Sequence, residues 1–256
     1  VIDACLERDI EPLVTLYHYD MPNNLFRDGG WEARRTAEEF AKYAKICFEA
    51  FGDRIRWWTT VNEPGYDTLC SYVAGNYPPN VHNVSRRWRA MYHMLLGSAL
   101  AIKSFRGLKD SGTVRADAVI GVVSDSYPIE TLVDNPTYAE AACLADLFWN
   151  RCVNDTSVLG HFPEGFFERL SSDGCDISYF RPEDAMTFET GTVDFLGVNA
   201  YERILVKPPI SNATQFAHDN SGDPNAKREP KTIGGWFTMD EDPNVPKNDW
   251  GMELLP

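Results

Sequence analysis

The 256-residue chain is long enough for one large domain with a substantial core. It carries 24 basic against 38 acidic residues, a formal net charge of −14. A surface this acidic repels phosphate backbones and anionic lipids, which excludes nucleic acid and membrane as partners.

Val1 to Arg8 reads as the tail of a helix. A β-rich run follows over 11–17, with Leu13, Val14 and Leu16 giving the nearly continuous apolar pattern of a strand buried on both faces. Thr36 and Glu39 have the spacing of a capping box. Phe40, Ala44, Cys47, Phe48 and Phe51 then recur at helical spacing up to Gly52. The second β run covers 55–61. Ser85 is the expected cap of the next helix, whose stripe is Trp88, Met91, Tyr92, Leu95, Ala99 and Ile102, with Gly107 closing it. The third β run covers 118–124. Thr137 and Glu140 make a second capping box, opening a helix to about Cys152, and the fourth β run covers 192–199. The stretch 208–248 is rich in Pro, Asn, Asp, Lys and Gly and is expected to be a long surface loop.

Strands alternating with long amphipathic helices predict an α/β fold with a parallel sheet. The loops that follow the strands are long, above all 17–35 and 62–84, and in β/α barrels such loops carry the chemistry.

No apolar run approaches the ~20 residues that span a bilayer. The six cysteines form no Cys-x-x-Cys and no His cluster completes a zinc site, so neither metal nor cofactor is expected. Scattered thiols fit a reducing compartment, and the expected location is cytoplasmic. The chain opens at Val1 inside a helical pattern, so its natural N-terminus is expected upstream.

Polar and aromatic residues gather at strand ends. His18 and Tyr19 follow the first strand, Asn62 and Glu63 the second, and Asn199 and Tyr201 the fourth. Residues two apart on a strand point the same way, so Asn199 and Tyr201 are expected to face one site. Glu63 stands out because Trp57-Trp58-Thr59-Thr60-Val61 precedes it and Pro64 stops the strand. That places a carboxyl at the buried rim of a core strand, where a proton donor is at home and a freely solvated side chain is not. Trp31 and Trp149 are read as core, Trp236 and Trp250 as either core or sugar platform.

The run Trp57-Trp58-Thr59-Thr60-Val61-Asn62-Glu63-Pro64 resembles the strand-4 motif of glycoside hydrolase family 1, the β-glucosidase family. Glu11 to Pro22 resembles that family's strand-3 segment, Gly29-Gly30-Trp31-Glu32 the opening of its helix 3, Val193 to Tyr201 its strand 6, and Asp249-Trp250-Gly251-Met252 the stretch before its helix 6. The resemblance implies a partial (β/α)8 TIM barrel holding about strands 3 to 6 of eight, with 1–256 a single catalytic-domain fragment. It also implies a retaining β-glycoside hydrolase, in which one carboxyl protonates the glycosidic oxygen and another attacks the anomeric carbon.

By motif, Glu63 resembles the acid/base and Asn62 the ligand of the sugar 2-hydroxyl. His18 resembles a ligand of a sugar hydroxyl, Tyr201 the tyrosine that orients the nucleophile, and Asn199 a partner behind it. The implied partner is a small β-glycoside or oligosaccharide. Tyr19 stands where the family usually has Trp, beside the sugar. Gly65 stands where a larger side chain often follows the Pro, which is expected to remove part of an aglycone wall. The family's nucleophile, a Glu in a Thr-Glu-Asn-Gly type motif, has no counterpart here, so the chain alone is expected to be inactive. A 6-phospho-β-glycosidase of the same family and a non-catalytic binding relative are the rival readings. Pro64 argues against the first, and Asn62, Glu63 and Tyr201 against the second.

Overall fold

The computed structural model describes residues 1–216, 230–249 and 251–254. Trp250 and the centre of the 208–248 stretch lie outside the described residues.

Helix α1 (Ile2–Leu6) leads into β1 (Leu13–Tyr17). The loop beyond it carries α2 (Asn23–Arg27) and a 3-10 turn at Gly30–Glu32 before α3 (Arg34–Phe51). Strand β2 (Trp57–Asn62) is followed almost at once by α4 (Pro64–Tyr72) and then α5 (Val84–Asp110). Next come β3 (Val119–Asp125), a short β4 (Ile129–Glu130) and α6 (Pro136–Asp146), which passes through a π turn at Leu147–Arg151 into α7 (Cys152–Leu159). Helices α8 (Phe166–Ser172) and α9 (Ala185–Thr190) lead to β5 (Phe195–Asn199). Then follow β6 (Ile204–Lys207), β7 (Thr232–Ile233) and β8 (Phe237–Met239).

Strands β1, β2, β3 and β5 lie side by side in that order, each pair parallel. The two central strands are sealed on both faces: Trp58, Val61, Ile120 and Val122 are fully buried. The edge strands are not. Leu13 and Val198, on β1 and β5, are each 54% exposed. A full barrel has no such edges, because closure pairs every strand.

Helices α3 and α5 cover one face of this sheet. Their backbones approach closely at Gly97, where a Cβ would stand 3.2 Å from the Ala37 Cα. Beneath them Phe48 packs edge-on against both Trp58 and Phe105, with ring centroids 5.0 and 5.2 Å apart. Each such fully buried side chain contributes roughly 1.5–3 kcal/mol. A second apolar cluster joins α5 to α6, α7 and α8. It centres on Trp88, Phe148, Trp149 and Phe166, and Trp236 belongs to it. Trp31, Trp149 and Trp236 are all buried. Among the described residues, no helix is long and apolar enough to cross a membrane.

Strands β4, β6, β8 and β7 form a small second sheet, antiparallel from β6 onward. This corrects the expectation of a plain surface loop over 208–248. Ile233, Trp236 and Phe237 of that stretch are buried, with Trp236 packed on Trp88 and Phe237 on Phe148. Strands of two to four residues are too short to show an alternating pattern.

The helix starts are also corrected. Thr36 lies inside α3, which begins after Ala33 with no side-chain cap. Its hydroxyl instead donates to the Gly30 carbonyl at 2.5 Å, locking the preceding turn. Asn83, not Ser85, caps α5, accepting from the Arg86 amide at 3.0 Å. Asn135, not Thr137, caps α6, accepting from the Tyr138 amide at 3.0 Å, and Pro136 occupies the first helical position. Each Asn sits two residues upstream of the hydroxyl, just before the first helical residue, where its side-chain oxygen reaches the third helical amide, whereas Ser85 and Thr137 already lie inside the helix. Gly107 does not close α5, which continues to Asp110.

Candidate active site

The register of the sheet brings four chain segments to one rim. Tyr17 pairs with Val61, Asn62 with Val123, and Asp125 with Asn199. The β2–β3 register shifts between Thr59 and Asn62. Such an irregularity re-aims the side chains beyond it. The Glu63 amide still donates to the Val123 carbonyl at 2.8 Å, so the ladder runs one residue past β2. There the backbone turns left-handed, at φ 46 and ψ 59. That conformation costs a residue with a Cβ about 1–3 kcal/mol. Pro64 then starts α4, and the Asp67 amide bonds the Glu63 carbonyl at 2.9 Å. Ladder on one side and helix on the other hold the turn.

The turn delivers the Glu63 carboxyl into a ring of donors. Asn199 Nδ2 donates to Oε1 at 2.5 Å, and the Tyr201 hydroxyl reaches the same oxygen at 3.5 Å. The Tyr19 hydroxyl donates to Oε2. Asn62 Nδ2 donates to the Tyr19 oxygen at 3.2 Å and lies 3.3 Å from His18 Nε2. Asn199 Nδ2 also approaches Asn62 Oδ1 at 3.4 Å. The six residues singled out at strand ends, His18, Tyr19, Asn62, Glu63, Asn199 and Tyr201, therefore lie in one hydrogen-bonded network. They come from three strand ends, with Glu63 and Tyr201 brought together across 138 positions.

Exposure divides this network. Glu63 is 7% exposed and Asn62 5%, while Tyr201 is 61% exposed and His18 is open to solvent. A small polar molecule thus has access from one flank to a carboxyl otherwise walled in. Directional donors and acceptors beside aromatic rings are the equipment for sugar hydroxyls and their C–H faces. Tyr19 and Tyr77 supply such rings, with centroids 6.1 Å apart. Burial pushes the Tyr19 phenol well above its ordinary range, and the Glu63 carboxylate adds to the shift. For Tyr201 the charge of Glu63 comes first and burial second. Both hydroxyls therefore keep their protons and act as donors.

Two acids near this rim carry no signal in the motif reading. Asp67, on α4, accepts from the Tyr17 hydroxyl at 3.0 Å and the Ser71 hydroxyl at 3.2 Å, and burial raises it to about 6. Asp125 ends β3, one residue beyond the predicted strand. Applying the strand-end rule to that strand as well would have found it. Gly65 is corrected too. It is buried, and a Cβ there would stand 2.8 Å from Asp125 Oδ1, so the missing side chain makes room for Asp125 and not for an aglycone. Among the described residues, no group of His, Cys, Asp and Glu is placed to hold a metal ion.

Residues 1–256 match the family model described as glycosyl hydrolase family 1. The chain is 35% identical over 88% of its length to the 6-phospho-beta-glucosidase GmuD of Bacillus subtilis, covering 47% of that protein. It is 27% identical over its whole length to a 6-phospho-beta-galactosidase of Clostridium acetobutylicum, covering 53% of that one. The family 1 b-glucosidase from Thermotoga maritima superposes with a TM-score of 0.78 at 28% identity, over 99% of this chain and 50% of that one. The chain thus spans about half the length of the curated relatives it matches, and its four-stranded parallel sheet is part of a (β/α)8 barrel. Motifs, rim geometry and whole-chain similarity agree: this chain belongs to glycosyl hydrolase family 1.

Proposed function

We propose that the protein to which this chain belongs is a retaining β-glycoside hydrolase, with Glu63 as its general acid/base. The observation that carries this reading is the Glu63 carboxyl, nearly sealed, with each oxygen held by a neutral donor. Glu63 protonates the glycosidic oxygen as the bond to the anomeric carbon breaks, and later takes a proton from the attacking water. Asn62 and His18 bind sugar hydroxyls, and Tyr201 orients the second carboxyl. That second carboxyl comes from outside this chain. The free thiols of all six cysteines suit a cytoplasmic setting.

A second reading, a 6-phospho-β-glycosidase, is favoured by the names of the two curated relatives above. The decisive assay uses the complete parent protein with aryl β-glucoside, aryl β-galactoside and their 6-phosphates. Hydrolysis with retention, cut by about 10²–10⁴ in Glu63→Gln for a leaving group that needs a proton, supports the assignment. A parent that turns over none of the four, or a Glu63→Gln variant at the wild-type rate, overturns it. The preferred substrate separates the two readings. The 256-residue chain alone is expected to show no turnover.

A further inference from the structure

Asp125 is the most thoroughly buried carboxyl at this rim, at 0% exposure. Both of its oxygens lack a hydrogen-bond partner. The amides of Tyr66 and of Asp125 itself approach the carboxyl without closing a bond of good geometry. It lies beneath the first turn of α4, in the space left by Gly65. Its neighbours in the ladder lead to Glu63 from two sides. Asn199, paired with Asp125 in register, holds Oε1 of Glu63. Val123, two residues back, accepts the Glu63 amide.

The ionisable groups that face Asp125 can be named element by element. Glu63 and Cys70 come from the α4 turn and helix, Arg87 from α5, Tyr127 from the chain just beyond β3, and Tyr19 and Tyr201 from the neighbouring rim. Two of these carry charge. Glu63 disfavours a second negative charge and Arg87 favours one. Arg87 closes no bond to Asp125. Its Nη2 donates to the Phe148 carbonyl at 3.2 Å, and its plane stacks on Phe148 and Trp88 at 3.7 and 4.3 Å. A buried carboxylate without hydrogen bonds is costly, and the neutral acid is not.

Resting on the assignment of Glu63 above, we propose that Asp125 is a positioning residue for Glu63. It is a carboxyl sealed beneath the Glu63 turn as the neutral acid, and its ionisation places a second negative charge behind the proton donor. Burial, the larger cause, and the nearby Glu63 raise Asp125 to about 8. At neutral pH it therefore leaves Glu63 free to carry charge between its two protonation steps. Above about 8 a second negative charge stands behind the Glu63 turn.

The test is carboxyl-carbon NMR of the chain labelled at Asp and Glu, titrated from pH 5 to 9, with Asp125→Asn and Glu63→Gln assigning the two signals. In the wild type Asp125 is expected to be protonated at pH 6.5 and to titrate near 8. The Glu63 signal is expected to show an inflection at the same pH, which Asp125→Asn abolishes. An Asp125 signal ionised throughout, as a fixed counterion of Arg87, overturns the proposal, as does a Glu63 signal blind to the Asp125 step. If Asp125→Asn does not fold, the wild-type curves assigned by Glu63→Gln still decide. The readout is independent of turnover, so an inactive parent refutes the hydrolase reading without touching this coupling.

Discussion

The side-chain amide of Asn199 donates to Oε1 of Glu63 at 2.5 Å, joining the ends of β5 and β2 across 136 positions of sequence. The bond spans the sheet from its edge strand to a central one, with Asp125 of β3 in register between them. A hydrogen bond to a charged group is worth about 1.5–3 kcal/mol. Asn199→Ala is therefore expected to lower kcat/KM of the parent enzyme by about 10- to 100-fold while its unfolding midpoint moves little, because Asn199 is only partly buried. A variant at the wild-type rate would show that Tyr19 and Tyr201 alone hold the carboxyl.

Gly65→Ala puts a methyl 2.8 Å from Asp125 Oδ1 and 3.4 Å from its Cγ, in a site with no slack. Overpacking of this kind costs about 1–3 kcal/mol. The expected result is a chain destabilised by that amount in urea. Adding Asp125→Ser is expected to recover part of the loss, because the two sites share one volume. Additive losses in the double variant would place the clash elsewhere.

Asp67 sets a pH dependence. Burial raises its folded value to about 6, above the ~4 of an unfolded carboxyl. The folded chain holds this proton more tightly, so the stabilisation is complete below pH ~4 and is lost as pH rises through about 6. Asp67→Asn removes that titration. Urea midpoints of variant and wild type are expected to diverge in the variant's favour between pH 4 and 7, by on the order of 2–3 kcal/mol. A constant gap across that range would mean that Asp67 titrates like an exposed carboxyl.

Phe148 is fully buried and touches Trp88, Trp149, Trp236 and Phe237, besides carrying the Arg87 guanidinium on its face. Phe148→Ala is expected to cost about 3–5 kcal/mol in thermal or urea unfolding, the range for emptying an aromatic core site. A loss under 1 kcal/mol would mean that the small sheet closes onto the vacancy.

The sequence by itself was enough for the four core strands, the three long helices between them and the family, while the segment that forms α4 was read as loop. Buried parallel strands announce themselves as apolar runs, and strand ends are where a barrel collects its polar side chains. It misjudged what depends on competition between near neighbours. Whether Asn83 or Ser85 caps α5 rests on which side chain reaches the helical amide, and both fit the local pattern. The strands of the second sheet escaped because pairs of two to four residues have no periodicity to detect.

Glu63 shows the boundary most clearly. Its place after an apolar strand and before Pro64 is written in the chain, and so is the expectation that it donates a proton. That its oxygens are held by Tyr19 and Asn199, and that Asp125 lies beneath its turn in the room left by Gly65, was decided by the tertiary structure. Those contacts depend on the register of parallel strands, which distant segments set together and no local stretch encodes alone.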